Sequence, residues 1–99
     1  MIDAKWWLVS YDVHNPRRLR RAAALLEGAG ERVQFSVFRC WMTPAQMQEL
    51  RWELTELLDP ADEVLIIPLC PRCVDGMQTT HSSRNLPDWP GQPEGHRIV

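Results

Sequence analysis

The stretch Lys5-Trp6-Trp7-Leu8-Val9-Ser10-Tyr11-Asp12-Val13 constrains the fold more than any other part of this chain. At the two-residue period of a strand, Trp7, Val9, Tyr11 and Val13 fall on one face, and Trp6, Leu8, Ser10 and Asp12 on the other. Both faces are largely apolar near the start, so the strand is expected in the centre of a sheet rather than at an edge. It ends in a carboxylate, Asp12, followed by the turn His14-Asn15-Pro16.

Asn15 suits a helix N-cap and Pro16 the first helical position. Leu19, Ala22, Ala23 and Leu26 recur at helical spacing up to Gly28 and Gly30, which are expected to stop the helix. Arg32 to Met42 is rich in β-branched and aromatic residues and reads as strand. No Asn-Gly pair divides it, so a bulged or bent strand and a tight hairpin both fit. Thr43-Pro44-Ala45-Gln46 is a capping box with proline at its first helical position. Met47, Leu50, Leu54, Leu57 and Leu58 form the buried stripe of that helix, and Gln48, Glu49, Arg51 and Glu53 are mostly solvent-facing. Asp59-Pro60 ends it. Glu63 to Leu69 is a short apolar run consistent with a second buried strand. From Pro71 onward the pattern dissolves into prolines, glycines and polar residues, with one candidate final strand at His96 to Val99 that would pair with another subunit. No internal repeat is visible.

The order strand, helix, one or two strands, helix, strand packs most economically as a single sheet with both helices on one face. This is an α+β, ferredoxin-like βαββαβ sandwich. The expected domain is 1–75, and 76–99 is an extended tail. One sheet face stays uncovered, and a small domain with an uncovered apolar face dimerises or binds something there.

Ninety-nine residues make one small domain with a limited core, and 44% hydrophobic with 24% charged residues is the composition of a folded protein rather than a disordered one. No apolar run approaches the length of a bilayer span, and Asp3 spoils a signal-peptide reading, so no membrane association is expected and the default compartment is the cytoplasm. Cys40, Cys70 and Cys73 are odd in number, make no disulfide framework and fit a reducing environment. A formal net charge of −2 excludes a wholly basic nucleic-acid binder, but the charge is unevenly spread. Residues 14–39 carry six arginines against Glu27 and Glu31, whereas residues 40–99 carry four arginines against nine acids. A basic stripe on a mildly acidic body suits local phosphate binding.

Arg17, Arg18, Arg20 and Arg21 lie in the first turn and a half of the first helix. Cations there oppose the macrodipole at about 0.3–1 kcal/mol each when exposed. A helix start with arginine forks added is a phosphate site; the alternative is a solvated face. Asp12 is open to two readings as well, a turn former bonded to nearby backbone or a metal ligand beside a bound phosphate. One carboxylate is a poor magnesium site, since magnesium takes one or two carboxylates completed by water and phosphate oxygens. A symmetric dimer whose open sheet faces meet would supply a second Asp12. His14 is either a proton donor or a turn residue.

Cys70-Pro71-Arg72-Cys73 is a CxxC. Cys40, His81 and His96 show no zinc spacing with it. A thioredoxin-like role requires the pair to open a helix, whereas here it follows a strand into a proline-rich tail, so two small semi-buried residues at a strand end is the favoured reading. The tryptophans read as core or interface residues rather than base-stacking platforms.

These residues together resemble the small CRISPR-associated endonuclease that is the second of the two spacer-acquisition proteins. The matching elements are Tyr11-Asp12-Val13, Arg17-Arg18, Arg21, Gly30, Arg32-Val33-Gln34-Phe35-Ser36-Val37-Phe38, Asp62 to Leu69, and Leu69-Cys70 with Cys73. They span roughly residues 5–75 in order. The resemblance implies a ferredoxin-like homodimer with its two Asp12 carboxylates facing across the interface. It also implies divalent-metal hydrolysis of RNA or double-stranded DNA, with magnesium or another cation such as manganese, and a place bridging two integrase dimers in the spacer-acquisition complex. It assigns Asp12 as metal ligand with Tyr11 beside it as catalytic, Arg17, Arg18, Arg21 and Arg32 as phosphate contacts (Arg20 joins them from its place in the basic turn), and Ser36 and Phe38 near the cleft. Many members carry a second acidic residue in the turn after the first strand, where this chain has His14-Asn15-Pro16; metal binding then depends on Asp12. The expected function is a metal-dependent endonuclease, with a non-catalytic DNA-binding scaffold as the alternative and a redox or zinc module at Cys70 and Cys73 as a third class.

Overall fold

A computed structural model describes residues 3–76. In chain order these form β1 (Lys5–Asp12), α1 (Pro16–Ala29), β2 (Glu31–Gln34), β3 (Val37–Met42), α2 (Pro44–Leu57), β4 (Glu63–Leu69) and α3 (Pro71–Asp75). The strands make one antiparallel sheet in the order β2-β3-β1-β4. With α1 and α2 this is the expected ferredoxin-like arrangement. β1 is central, pairing with β3 from Lys5↔Met42 to Ser10↔Val37 and with β4 from Trp6↔Leu69 to Asp12↔Glu63. The strand expected at 96–99 and the tail from 77 lie outside the described residues. Among the described residues no helix is long and apolar enough to cross a membrane.

One face of the sheet carries the core. Val9, Tyr11, Val13, Phe38 and Cys40 pack with Ala22 and Leu26 of α1 and with Met47, Leu50 and Leu54 of α2. The helices begin where local chemistry starts them. Asn15 Oδ1 accepts from the amides of Arg17 and Arg18 at 3.0 Å, which satisfies two of the donors that every helix start leaves open. Thr43 and Gln46 close a reciprocal capping box, with Gln46 N–H donating to Thr43 Oγ1 at 3.2 Å and Thr43 N–H to Gln46 Oε1 at 2.9 Å. The two glycines at the end of α1 differ in role. Gly28 lies inside the helix facing open space, while Gly30 has extended backbone and is needed for close approach: a Cβ there would overlap the Arg39 carbonyl oxygen.

The stretch from Arg32 to Met42 is both a hairpin and bulged. β2 and β3 turn at Phe35-Ser36, and the register shifts between Arg32 and Gln34. Two expectations need correction. β4 is an edge strand rather than a buried one: Val64 and Ile66 pack on the core, but Leu65 and Ile67 on the other face are 59% and 38% exposed. Its apolar run suggests cover on both faces, and the described chain supplies α1 and α2 on one only. Pro68 suits such an edge, where a missing N–H costs no ladder bond. The chain after β4 also does not dissolve at once, because Cys70 caps the short α3 and Pro71 takes its first position. A helix of five residues is too short for apolar periodicity to reveal.

The second sheet face bears Leu8, Ser10 and Asp12 from β1, and Leu65 and Ile67 from β4. At its far end Trp6 and Arg39 are buried, the guanidinium lying 4.6 Å from the Trp6 ring centroid and Trp41 meeting Trp6 edge-on at 5.4 Å.

Candidate active site

The C-terminal end of β1 gathers three connections at one end of the sheet. The β1–α1 turn leaves from Asp12, the β2–β3 turn is tied to it by the Tyr11 amide donating to the Ser36 carbonyl at 3.1 Å, and β4 begins at Glu63 opposite Asp12. Asp12 stands on the open face with its side chain 67% exposed, and His14 Nε2 lies 3.4 Å from its Oδ1. When protonated, that imidazole is an ion-pair partner for the carboxylate.

Glu63 was not singled out by sequence reasoning. It is the Cα partner of Asp12 across β1 and β4, so two carboxylates share one face at the mouth of the sheet. Carboxylates directly opposite in an antiparallel pair repel, and a cation between them would relieve the repulsion. The signal available in the sequence was the acid heading an apolar strand, but only the register says which residue it faces.

Exposed hard-oxygen donors with room for water and phosphate oxygens are the set that magnesium or manganese takes, so Asp12 and Glu63 fit an open divalent site. Among the described residues no group of three or more His, Cys, Asp or Glu forms a closed metal site. Among the described residues, Asp12 and Glu63 alone would leave a divalent cation's shell to be completed by other donors.

Tyr11 and Phe38 lie elsewhere. Strand alternation puts Tyr11 on the opposite face from Asp12, where it is buried among the core residues and tilts against Phe38 with ring centroids 6.0 Å apart. Phe38 is fully buried and forms the floor beneath Arg32, whose guanidinium lies 4.8 Å from its ring centroid. Arg32 Nη1 also donates to the Phe35 carbonyl and, at 3.5 Å, to the Tyr11 hydroxyl, and Nη2 reaches Glu27 at 3.3 Å. Ser36 sits at the turn, half-buried, beside the end of β1.

The arginines divide into two kinds. Arg18 Nε donates to Asp62 Oδ2 at 2.7 Å, and the Asp62 side chain is 1% exposed. Asp62 also accepts from the Asp59 amide at 3.0 Å, so it ties the start of α1 to the α2–β4 turn. The Arg18 guanidinium, followed by the Asp59 amide, holds the Asp62 carboxyl below the usual carboxylate range. Arg18 is thus committed to the fold. Arg17, Arg20 and Arg21 are exposed and have no ion-pair partner among the described residues. Their charge is available to a phosphate backbone.

The family model described as CRISPR associated protein Cas2 matches residues 5–77. The chain is similar to a CRISPR-associated endoribonuclease Cas2 from Nitrosomonas europaea, 45% identical over 67 residues that cover 67% of this chain and 59% of the relative. It is similar to the crystal structure of Streptococcus pyogenes Cas2, with a TM-score of 0.69 and 34% identity over 77% of this chain and 99% of that one. Its fold also matches a chain of a partial Cas6-RT-Cas1–Cas2 complex, with a TM-score of 0.68 and 22% identity over 77% of this chain and 90% of that one. The match spans 59–64% of the length of the first curated relatives.

Proposed function

This chain belongs to the CRISPR-associated Cas2 family, and on that premise we propose that it is a metal-dependent endonuclease of spacer acquisition, hydrolysing phosphodiester bonds of RNA or double-stranded DNA. The observation that carries the proposal is the exposed Asp12 carboxylate at the end of β1, facing Glu63 on the open side of the sheet. Asp12 is the ligand for magnesium or manganese, with Glu63 beside it. A bound divalent cation supplies charge stabilisation at the scissile phosphate and a more acidic water. The chain's own residues do the rest. Arg17, Arg20 and Arg21 bind the backbone phosphates and orient the scissile bond. Arg32, braced by Tyr11 and Phe38, extends that surface towards the β2–β3 turn; Tyr11 is then a positioning residue rather than a catalytic one. His14 is placed to hold a proton beside Asp12.

The apolar open face with Leu8, Leu65 and Ile67 supports a homodimer that brings a second Asp12 to the first. A similar fold occurs in a partial Cas6-RT-Cas1–Cas2 complex, which is in keeping with an integrase partner for this chain. The experiment is hydrolysis of RNA and duplex DNA by wild type and Asp12→Asn, with and without magnesium and chelator. Wild-type cutting should be on the order of a hundredfold faster than the variant's, and chelator should remove the difference. Cutting unchanged by the substitution sinks the proposal.

A second reading is favoured by the three arginines that have no ion-pair partner among the described residues: a non-catalytic scaffold that holds duplex DNA and spaces the integrase. Asp12→Asn would then leave spacer acquisition intact, while Arg17→Glu with Arg21→Glu would abolish it.

A further inference from the structure

Cys70 and Cys73 lie outside everything assigned above, at the opposite end of β4 from Glu63. Cys70 is the N-cap of α3 and Cys73 lies in its first turn, with the Val74 amide donating to the Cys70 carbonyl at 3.1 Å. That turn sets the two side chains side by side, as i and i+3 positions of a helix are. Their sulfurs are 3.3 Å apart, in contact but beyond the roughly 2.05 Å of a disulfide. Both side chains are exposed. The Cys73 backbone N–H, then its thiol, lower the Cys70 thiol from its ordinary range, although the sulfur makes no full capping hydrogen bond. The third thiol is a foil: Cys40 is fully buried, and burial pushes it up to about 12. Two thiols in one helix turn, in contact and open to solvent, form a dithiol pair rather than a pair of packing residues.

We propose that Cys70 and Cys73 form a thiol–disulfide exchange site for low-molecular-weight disulfides, in which Cys70 attacks and Cys73 resolves. The Cys70 thiolate attacks one sulfur of a disulfide RSSR, forming a mixed disulfide and releasing RS⁻. Cys73 loses its proton to solvent, its sulfur attacks the Cys70 sulfur, and the second RS⁻ leaves. The two protein thiols are oxidised to one disulfide, and RSSR is reduced to two RSH that take up the two protons. The bond formed would close across the first turn of α3, directly after β4.

The test uses the full chain, reduced and then incubated in glutathione buffers of rising oxidised share, read by intact mass and by alkylation of remaining thiols. Wild type should lose two thiols with no lasting adduct, leaving only Cys40, which reacts on denaturation. Cys73→Ser should keep one glutathionyl group on Cys70. Cys70→Ser should acquire its adduct at Cys73 on the order of tenfold more slowly. Far-UV circular dichroism of both variants should match wild type, as expected for exposed sites. Equal adduct rates in the two variants, a lasting adduct on wild type, or failure to close in fully oxidised glutathione would overturn the proposal. So would stoichiometric zinc on the purified chain that blocks alkylation of both thiols, because the pair would then be a metal half-site.

Discussion

Arg18 and Asp62, 44 positions apart in the chain, are joined by a 2.7 Å hydrogen bond that fastens the start of α1 to the turn before β4. The same bond removes Arg18 from the set of arginines available to a ligand. It makes one end of the sheet a fixed platform, with Asp12 and Glu63 on it.

That bond carries an acid signature. The Asp62 carboxyl is held below its ordinary value, first by Arg18, so between its folded and unfolded values the unfolded chain binds more protons. The stabilisation is full above the unfolded value of about 3.9 and drains away as pH falls through the folded one. Arg18→Ala should lower the urea midpoint at neutral pH and flatten the fall in stability below about pH 4. Parallel curves for the two proteins would show that the pair contributes nothing to acid sensitivity.

Glu63→Gln should separate metal binding from folding. With Asp12 retained, calorimetry should show manganese binding weakened about tenfold, while the apo protein melts no lower than wild type because a like-charge pair has been removed. Unchanged manganese affinity would assign the divalent site to Asp12 without Glu63.

The glycines of α1 predict opposite signs. Gly28→Ala enters open space within the helix and should stabilise by ~0.4–1 kcal/mol. Gly30→Ala drives a methyl into the Arg39 carbonyl and the Cys40 sulfur and should cost ~1–3 kcal/mol. Denaturant midpoints at unchanged m-value measure both.

Nucleic-acid binding by Arg17 and Arg21 should appear in its salt dependence. Arg17→Ala and Arg21→Ala should each reduce the slope of log K against log salt by about one, with little change between sequences. Arg18→Gln should weaken binding less, since its guanidinium is already engaged by Asp62. Fluorescence anisotropy across a salt series distinguishes the three.

Much of the fold was legible in the sequence because its cues are local. Asn15 caps amides two and three residues on, and Thr43 with Gln46 closes a box of four residues. The alternation along β1 separates Tyr11 from Asp12 without any tertiary information, and the residue types around Asp12 carried the family resemblance that the match over 5–77 bears out. The candidate site was legible only in part. Arg17, Arg18, Arg20 and Arg21 look equivalent as a basic turn, and nothing in their spacing marks Arg18 as the one bonded to Asp62.

The chain by itself therefore determined β1, α1, α2 and β4, their order, the central place of β1 and the carboxylate at its end, because capping and periodicity act within a few residues. Only the tertiary structure decided that Glu63 stands opposite Asp12, that Arg32 rests on Phe38 and Tyr11, and that β4 shows Leu65 and Ile67 to solvent. It also decided that Cys70 and Cys73 meet within one turn of α3. The first three depend on strand register and on which face the helices cover, and both are set by packing between segments tens of residues apart. The last depends on five residues closing into a helix turn, a stretch too short for any periodic signal to record.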